Sequence, residues 1–452
     1  MSKSAIAIAI AASLSIAPAF GAASESKLDQ VMDQLSALSK RVDKLEQEKA
    51  KLEADNADLK SRNDRLEATT TELRTNAADA KKQLAADAPK LEKLGELEKS
   101  VKASEWASRI TWKGDFRLRH ENVDPEEAVT DQTRERIRLR FGFAAKINDS
   151  ITGNFQLATN GGNGDPRSTN QTLGNGWDRK GLAVDLAYVD WKAVTGLNIQ
   201  GGKMPLPFQR VGSFMWDGDI TPEGAAVKYA NGPFFGSAFS FVLSERAAAS
   251  DATMSGAQVG LMHDFGAFKL TGAVGYFDVG AAQGKVTAQP TGCATAFNPV
   301  FFGGAQGNST VTVAGCPRLL DDFNLIEALG QAEFKLGKLP LVVFADYLKN
   351  NEADDLDSAY SAGVTLGRAT NPGDWEIGYV YQKAEKDSQF GQFIDSDFGG
   401  GITDTDGHAF RFGISLAKNW VFNGTYFLNN RFVDVGTQRD YKRYQIDLNY
   451  RY

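Results

Sequence analysis

The chain has 452 residues, 42% of them hydrophobic, with a mean hydropathy of -0.33 and a formal net charge of -7. That balance is too polar for a bundle of membrane helices and too acidic for a nucleic-acid footprint, so no nucleic acid is expected as a partner. Three histidines, His120, His263 and His408, lie scattered without zinc spacing or a nucleophile motif, so neither an enzyme nor a metal or cofactor protein is expected.

Residues 1–23 read as a signal peptide. Lys3 supplies the positive charge, Ala5 to Ile16 are mostly apolar, and small residues follow up to Ala23. The apolar stretch is too short to span a bilayer and has the wrong flanks for an anchor. Residues 24–104 form a second region. Leu28, Val31, Leu35, Leu38, Val42 and Leu45 alternate spacings of three and four, and Leu52, Leu59, Leu66 and Leu73 continue one seam. The other seam turns polar at Lys49, Asn56, Asn63 and Thr70, which costs stability and fixes register. An α-helical coiled coil is expected here, placed in the periplasm, with Pro89 ending its first helix.

From Ile110 the period becomes two. The alternation predicts about sixteen antiparallel strands, near 109–121, 133–147, 150–160, 181–193, 196–204, 222–231, 234–245, 255–264, 267–278, 322–336, 340–349, 357–367, 373–384, 406–418, 420–430 and 440–452. Tight connections such as Thr195-Gly196 and Lys418-Asn419 alternate with long ones rich in Gly, Asn and Asp. Short turns at one end and long loops at the other are what a transmembrane β-barrel requires. The fold class is therefore an all-β transmembrane barrel over 105–452, preceded by the coiled coil.

The two faces of the strands differ in kind. Trp112, Phe116 and Leu118 alternate with Asp115, Arg117 and Arg119, and Ile137, Leu139 and Phe141 alternate with Arg134, Arg136, Arg138 and Arg140. An Arg on the lipid face near the bilayer midplane costs about 2–4 kcal/mol, so the arginines belong to an aqueous lumen. Closure brings Arg443 and Arg451 beside them, with Arg411 two strands away. This basic wall either favours anions or pairs with the acids of an inserted loop and sets pore size. The candidate inserted loop runs over 203–223, with Lys203, Arg210, Asp217, Asp219 and Glu223 beside Phe208, Phe214, Met215 and Trp216. The alternative for that loop is a surface position or an interface latch.

Cys293 and Cys316 lie 23 apart in a loop-like stretch, and in an exported protein they are expected to form a disulfide. The aspartates of Asp354-Asp355-Leu356-Asp357, Asp395-Ser396-Asp397 and Asp404-Thr405-Asp406 fall in external loops, where solvated charge is expected and binding of calcium or lipopolysaccharide-bridging divalent ions is the alternative. The last strand alternates Tyr444, Ile446, Leu448, Tyr450 and Tyr452 with polar residues and is expected to serve as the signal read by the barrel-assembly machinery.

The coiled-coil N-terminus, the run Trp112-Lys113-Gly114-Asp115-Phe116-Arg117-Leu118-Arg119, the run Arg134-Glu135-Arg136-Ile137-Arg138-Leu139-Arg140-Phe141-Gly142 and the stretch Gly202-Lys203-Met204-Pro205-Leu206-Pro207-Phe208 together resemble the putative porin family of Gram-negative bacteria. Phosphate-selective porins are a more distant likeness. The resemblance implies a trimeric sixteen-stranded barrel in the outer membrane, in contact with lipid and lipopolysaccharide. Two departures are the terminal Tyr452, where such proteins most often end in Phe, and the lack of a separate peptidoglycan-binding domain before the coil, so that any peptidoglycan contact falls to the coil. The expected function is passive diffusion of small hydrophilic solutes and ions, with an anion preference. The alternatives are a closed barrel tethering the membrane to the cell wall, and a substrate-specific channel.

Overall fold

The computed structural model describes residues 41, 44, 60, 62, 64–78, 81, 107–160, 165–212, 215–245, 250–287, 293 and 304–452. The expected signal peptide and most of the expected coiled coil lie outside the described residues. The chain divides into two units, Met1–Ala103 and Ser104–Tyr452. In the first, residues 64–78 are helical. Leu66 and Leu73, one heptad apart, are 62% and 63% exposed, so this chain alone does not bury these two leucines. Thr69, Thr71 and Thr75 donate their hydroxyls to the carbonyls four residues earlier, a local way of satisfying them within a helix.

Nineteen strands are found among the described residues of the second unit. In chain order they are β1 (Ile110–Pro125), β2 (Gln132–Lys146), β3 (Ile151–Thr159), β4 (Gln171–Thr172), β5 (Leu182–Val194), β6 (Leu197–Lys203), β7 (Glu223–Asn231), β8 (Phe234–Ser244), β9 (Ala252–Asp264), β10 (Phe268–Gly280), β11 (Thr310–Val313), β12 (Cys316–Leu319), β13 (Phe323–Leu336), β14 (Leu339–Asn350), β15 (Ser358–Gly367), β16 (Trp375–Ala384), β17 (Thr405–Ala417), β18 (Trp420–Arg431) and β19 (Arg439–Arg451). Strand β4 is a two-residue addition beside β2, and β11 and β12 form a separate hairpin. The other sixteen pair antiparallel with their neighbours, and β1 pairs with both β2 and β19, which closes the barrel. Closure leaves no free edge, the condition for strands to cross a membrane.

The pleat sorts residues as the alternation predicts. In β1, Asp115, Arg119 and Glu121 are buried inward, while Trp112 and Leu118 are exposed outward. At the end of the barrel with short turns the outward face carries an aromatic band. Trp112 stacks on Phe141 at 5.2 Å, Trp420 lies 4.9 Å from Tyr450, and Phe265 lies 4.9 Å from Phe268. Rings at that level suit the membrane–water boundary. The turns are tight because residues such as Gly196 (φ 82) and Asn419 (φ 67) take the left-handed conformation that two-residue hairpins demand.

The inside differs from the water-filled polar lumen that alternation alone predicts. Along β8 to β16 many inward positions are apolar, among them Phe239, Phe241, Met254, Phe277, Leu325 and Leu348. Met204, Phe208, Met215 and Trp216 from the 204–222 segment, with Phe390, Phe393 and Ile394 from the 385–404 segment, pack onto them. The hydrophobic core of this barrel is thus internal and one-sided.

Candidate functional site

The remaining inner wall is built from β1, β2 and β19. Period two puts Arg117, Arg119, Arg134, Arg136, Arg138, Arg140 and Arg443 on its inward face, and acids fall on the same face between them. Asp115 holds Arg138 at 2.8 Å and Arg140 at 2.6 Å. Glu121 holds Arg134 at 2.7 Å, Arg136 at 3.2 Å and Arg443 at 2.5 Å. Asp447, directly opposite Arg119 in the β1–β19 register, takes both its Nε and Nη2, at 2.7 and 2.8 Å, and lies 3.6 Å from Arg117. Charges in so crowded a place are tolerable only when paired and hydrogen-bonded, and this wall supplies the pairs from its own strands.

Two loops complete the site. Asp219 of the 204–222 loop reaches Arg140 at 3.5 Å and Arg138 at 3.8 Å, and accepts from the Thr169 N–H and hydroxyl. Asp397 of the 385–404 loop reaches Arg443 at 2.7 Å and Arg119 at 3.1 Å. The loops also hold each other. The Asp217 N–H donates to the Phe393 carbonyl, and the Ser396 N–H donates to the Asp217 carboxylate. Arg167, from the segment after β3, is buried and donates to the carbonyls of Gly391 and Gly401.

These surroundings set the loop acids apart. Burial and then the Asp397 charge push Asp395 up to about 6. Burial, with the charges of Asp395 and Asp219, raises Asp217 well above its ordinary value. Burial works against Asp397 too, but Arg443 and Arg119 outweigh it and hold that carboxyl far below the usual range.

The wall expected from sequence is therefore assembled for seven of its nine arginines. Arg411 of β17 faces inward on the far side of β18, and Arg451 lies exposed near the turn end. The 203–223 segment does enter the lumen, with its five charged residues divided among tasks. Lys203 and Glu223 pair at 3.0 Å across the base of the loop, and Arg210 donates to the carbonyls of Trp216 and Asp217. Asp217 meets the second loop and Asp219 the wall. Phe214 lies outside the described residues. One expectation is corrected: Asp395 and Asp397 are not solvated external charge, because the 385–404 loop folds inward and Asp397 is clamped by two arginines. Asp404 is likewise buried. The wall acids Asp115, Glu121 and Asp447 were missed as pairing groups, although each shares the parity of the arginines. Cys293 and Cys316 are joined by a disulfide, with Cys316 opening strand β12.

At the loop end the wall opens into a cavity of about 720 Å³, lined by Arg134, Arg136, Arg179, Lys180, Arg431 and Arg443 together with Asp165, Asp178 and Asp397. A closed sixteen-stranded barrel with a charged, loop-narrowed interior defines a porin-type channel. The sequence agrees: the family described as "Putative porin" matches residues 122–318 and 322–452, so the chain belongs to that family of outer-membrane barrels. Among solved structures the barrel is similar to OprB of Pseudomonas putida, with TM-score 0.51 and 11% identity over 78% of this chain and 96% of that one. It is also similar to OmpF of Salmonella typhi in complex with daunomycin, with TM-score 0.45 and 12% identity over 76% and 97% of the two chains. A third likeness is the trimer form of OmpT from Vibrio cholerae, with TM-score 0.43 and 12% identity over 76% and 99%. A search of curated protein sequences finds no match.

Proposed function

We propose that the barrel is a passive diffusion channel for small hydrophilic solutes and ions, and that it prefers anions. The observation that carries this reading is the excess of guanidinium over carboxylate on the polar wall: seven arginines are held by five carboxylates, Asp115, Glu121, Asp219, Asp397 and Asp447. Fixed positive charge in a narrow aqueous passage between low-dielectric walls raises local anion concentration. Because each arginine is already shared with a carboxylate, a passing anion is attracted without being trapped, which conduction requires. External charges beyond about 8–10 Å are screened at physiological salt, so the net acidity of the whole chain counts for less than this wall.

The test is reversal potential in a planar bilayer under a salt gradient. Wild type is expected to be anion-selective, and Arg136→Ser with Arg138→Ser is expected to move the reversal potential toward cations. A cation-selective wild type refutes the preference and leaves the channel intact. No conductance at all favours the closed tether instead. A substrate-specific channel is the second reading, favoured by two loops rather than one occupying the lumen. Saturable flux or solute-induced block of current would identify it.

The same reading makes the protein a homotrimer joined partly through a periplasmic coiled coil, since the exposed Leu66 and Leu73 need partner helices. The coil is also the segment available for contact with peptidoglycan. Lipid and lipopolysaccharide surround the exposed outward residues, and the β19 strand with Tyr452 is the segment offered to the assembly machinery. Cross-linking that yields only monomers of the full-length protein removes the trimer.

A further inference from the structure

Behind the 204–222 loop, on the apolar side of the lumen, lies a group of polar side chains that the channel reading does not use. Glu327 on β13, Asp346 on β14, Ser361 on β15 and Gln382 on β16 are all inward, at 0%, 3%, 4% and 0% exposure. The registers place them in a row across four adjacent strands. Asp346 is directly opposite Ser361, and Ser361 is directly opposite Gln382. Glu327 faces Leu348, two residues from Asp346, so the two carboxylates are diagonal neighbours on one face, about 7–8 Å apart at the backbone and within reach of each other at the side chain. Their charges do interact.

The hydrogen bonding of this group is incomplete. Glu327 accepts from the Trp216 indole N–H at 2.7 Å through Oε1. Its Oε2 and both amide atoms of Gln382 have no hydrogen-bond partner among the described residues, and the carboxylate of Asp346 has no side-chain partner there, only the N–H of the adjacent Tyr347. Burying even one unpaired carboxylate is expensive, and two side by side are worse. Arg210 reaches Glu327 electrostatically, but its Nη1 is committed to the carbonyls of Trp216 and Asp217. The pair is left under-neutralised.

We propose that Glu327, Asp346 and Gln382 bind a hard divalent cation, calcium by preference, which pins the 204–222 loop to the barrel wall through Trp216. Every candidate donor is oxygen: Glu327 Oε2, Asp346 Oδ1 and Oδ2, and Gln382 Oε1, with the Ser361 hydroxyl between the last two residues. No group of three or more His, Cys, Asp or Glu converges among the described residues, so the amide and hydroxyl must complete the set. Carboxylate and carbonyl oxygens without nitrogen or sulfur suit calcium, and a site this enclosed disfavours magnesium, which gives up its water reluctantly. The proposal concerns how the loop is held and stands whether or not the pore prefers anions.

Trp216 makes the test direct. Full-length protein in detergent micelles is titrated with terbium(III) under indole excitation, and the emission from this site is the difference between wild type and Trp216→Phe. A saturable difference is expected, displaced by calcium but not by sodium at equal ionic strength. In Asp346→Asn and Glu327→Gln it should fall at least about tenfold. Calcium should also raise the unfolding temperature of wild type and of Trp216→Phe relative to chelator, and leave that of Asp346→Asn unchanged. The wild-type comparison of calcium with chelator decides the matter even if a carboxylate variant fails to fold. Equal emission from wild type and Trp216→Phe at saturating terbium, with no calcium effect on unfolding, overturns the proposal and means that the carboxylates share a proton. Displacement by sodium alone also overturns it, in favour of a monovalent ion.

Discussion

The two sides of the barrel interior solve the same problem by opposite means. Along β8 to β16, phenylalanine, leucine and methionine point inward and are covered by loop residues such as Phe208, Trp216 and Phe393, so water is excluded. Along β19, β1 and β2, arginines and carboxylates alternate across three strands, and Arg134, Arg136 and Arg443 among them line a cavity of about 720 Å³. The dry side fixes where the loops lie, and the wet side decides what passes them. A pore need not be lined evenly: packing on one wall can position the charges that confront the other.

If that division is right, the largest single effect on folding should come from the dry side. Phe277 is fully buried and meets Phe208 at 4.9 Å and Trp216 at 5.1 Å. Phe277→Ala is expected to cost about 3–5 kcal/mol, read as a lower denaturation midpoint in detergent. A loss below about 1 kcal/mol means that the inner core is loosely packed and the contrast is false.

Next in size is Asp397, which joins the loops to the wet wall. Asp397→Ala leaves Arg119 and Arg443 each short of a carboxylate and is expected to destabilise by about 2–3 kcal/mol. It should also shift the reversal potential toward anions, because positive charge is released. An unchanged reversal potential would show that these arginines do not face the permeation path.

A smaller effect divides the loop acids by pH. Asp395 is raised from 3.8 to about 6 by burial and by the neighbouring Asp397 charge. In the unfolded chain its proton leaves above 3.8, while the folded protein keeps it until about 6. Its stabilising contribution is therefore whole below 3.8 and is lost as pH rises to 6. Asp397, held low by Arg443 and Arg119, works the other way: its contribution is present above 3.8 and lost as pH falls below that value. Unfolding temperatures measured across this range should decline with rising pH in wild type and decline less steeply in Asp395→Asn, with the remaining slope left to Asp217. An unchanged slope in the variant assigns the decline to another group.

The smallest effect on the pore should come from the disulfide, which lies outside both walls. Intact mass after alkylation should show no modified thiol until reductant is added, and then two. Closing a loop of this length contributes about 3 kcal/mol to the segment it joins, but Cys293→Ser with Cys316→Ser should leave pore selectivity unchanged. Alkylation of both thiols without reduction refutes the bridge.

Much of the barrel was legible because period two is a strong signal. The arginine row at 134, 136, 138 and 140 and the tight turns sufficed to place strands and faces. The β4 pair and the β11–β12 hairpin were not foreseen, since two to four residues carry no periodicity of their own. The inward turn of the 385–404 loop was misjudged for a physical reason. Its Phe390, Phe393, Ile394 and Phe398 look like scattered loop residues, and only the apolar inner face of distant strands gives them a place to pack. The pairing acids were legible in principle: Asp115 and Glu121 stand two residues from an arginine on the same strand, but Asp447 meets Arg119 only through closure of the barrel.

That closure also has a meaning in time. Arg119 bonds to Asp447 across 328 residues of chain, and Arg117 to Asn449 across 332. Strand β1 is among the first parts of the barrel to be synthesised, yet its partner edge arrives last. Until then one side of Ile110–Pro125 offers unpaired amides and carbonyls to any neighbour, so the unfinished chain is at its most adhesive just before it seals. The polar wall of the pore and the seam of the barrel are the same three strands. A folding chain therefore completes its wall and its charge pattern in one event, and a molecule that fails to close lacks the Arg119–Asp447 and Arg443–Glu121 pairs.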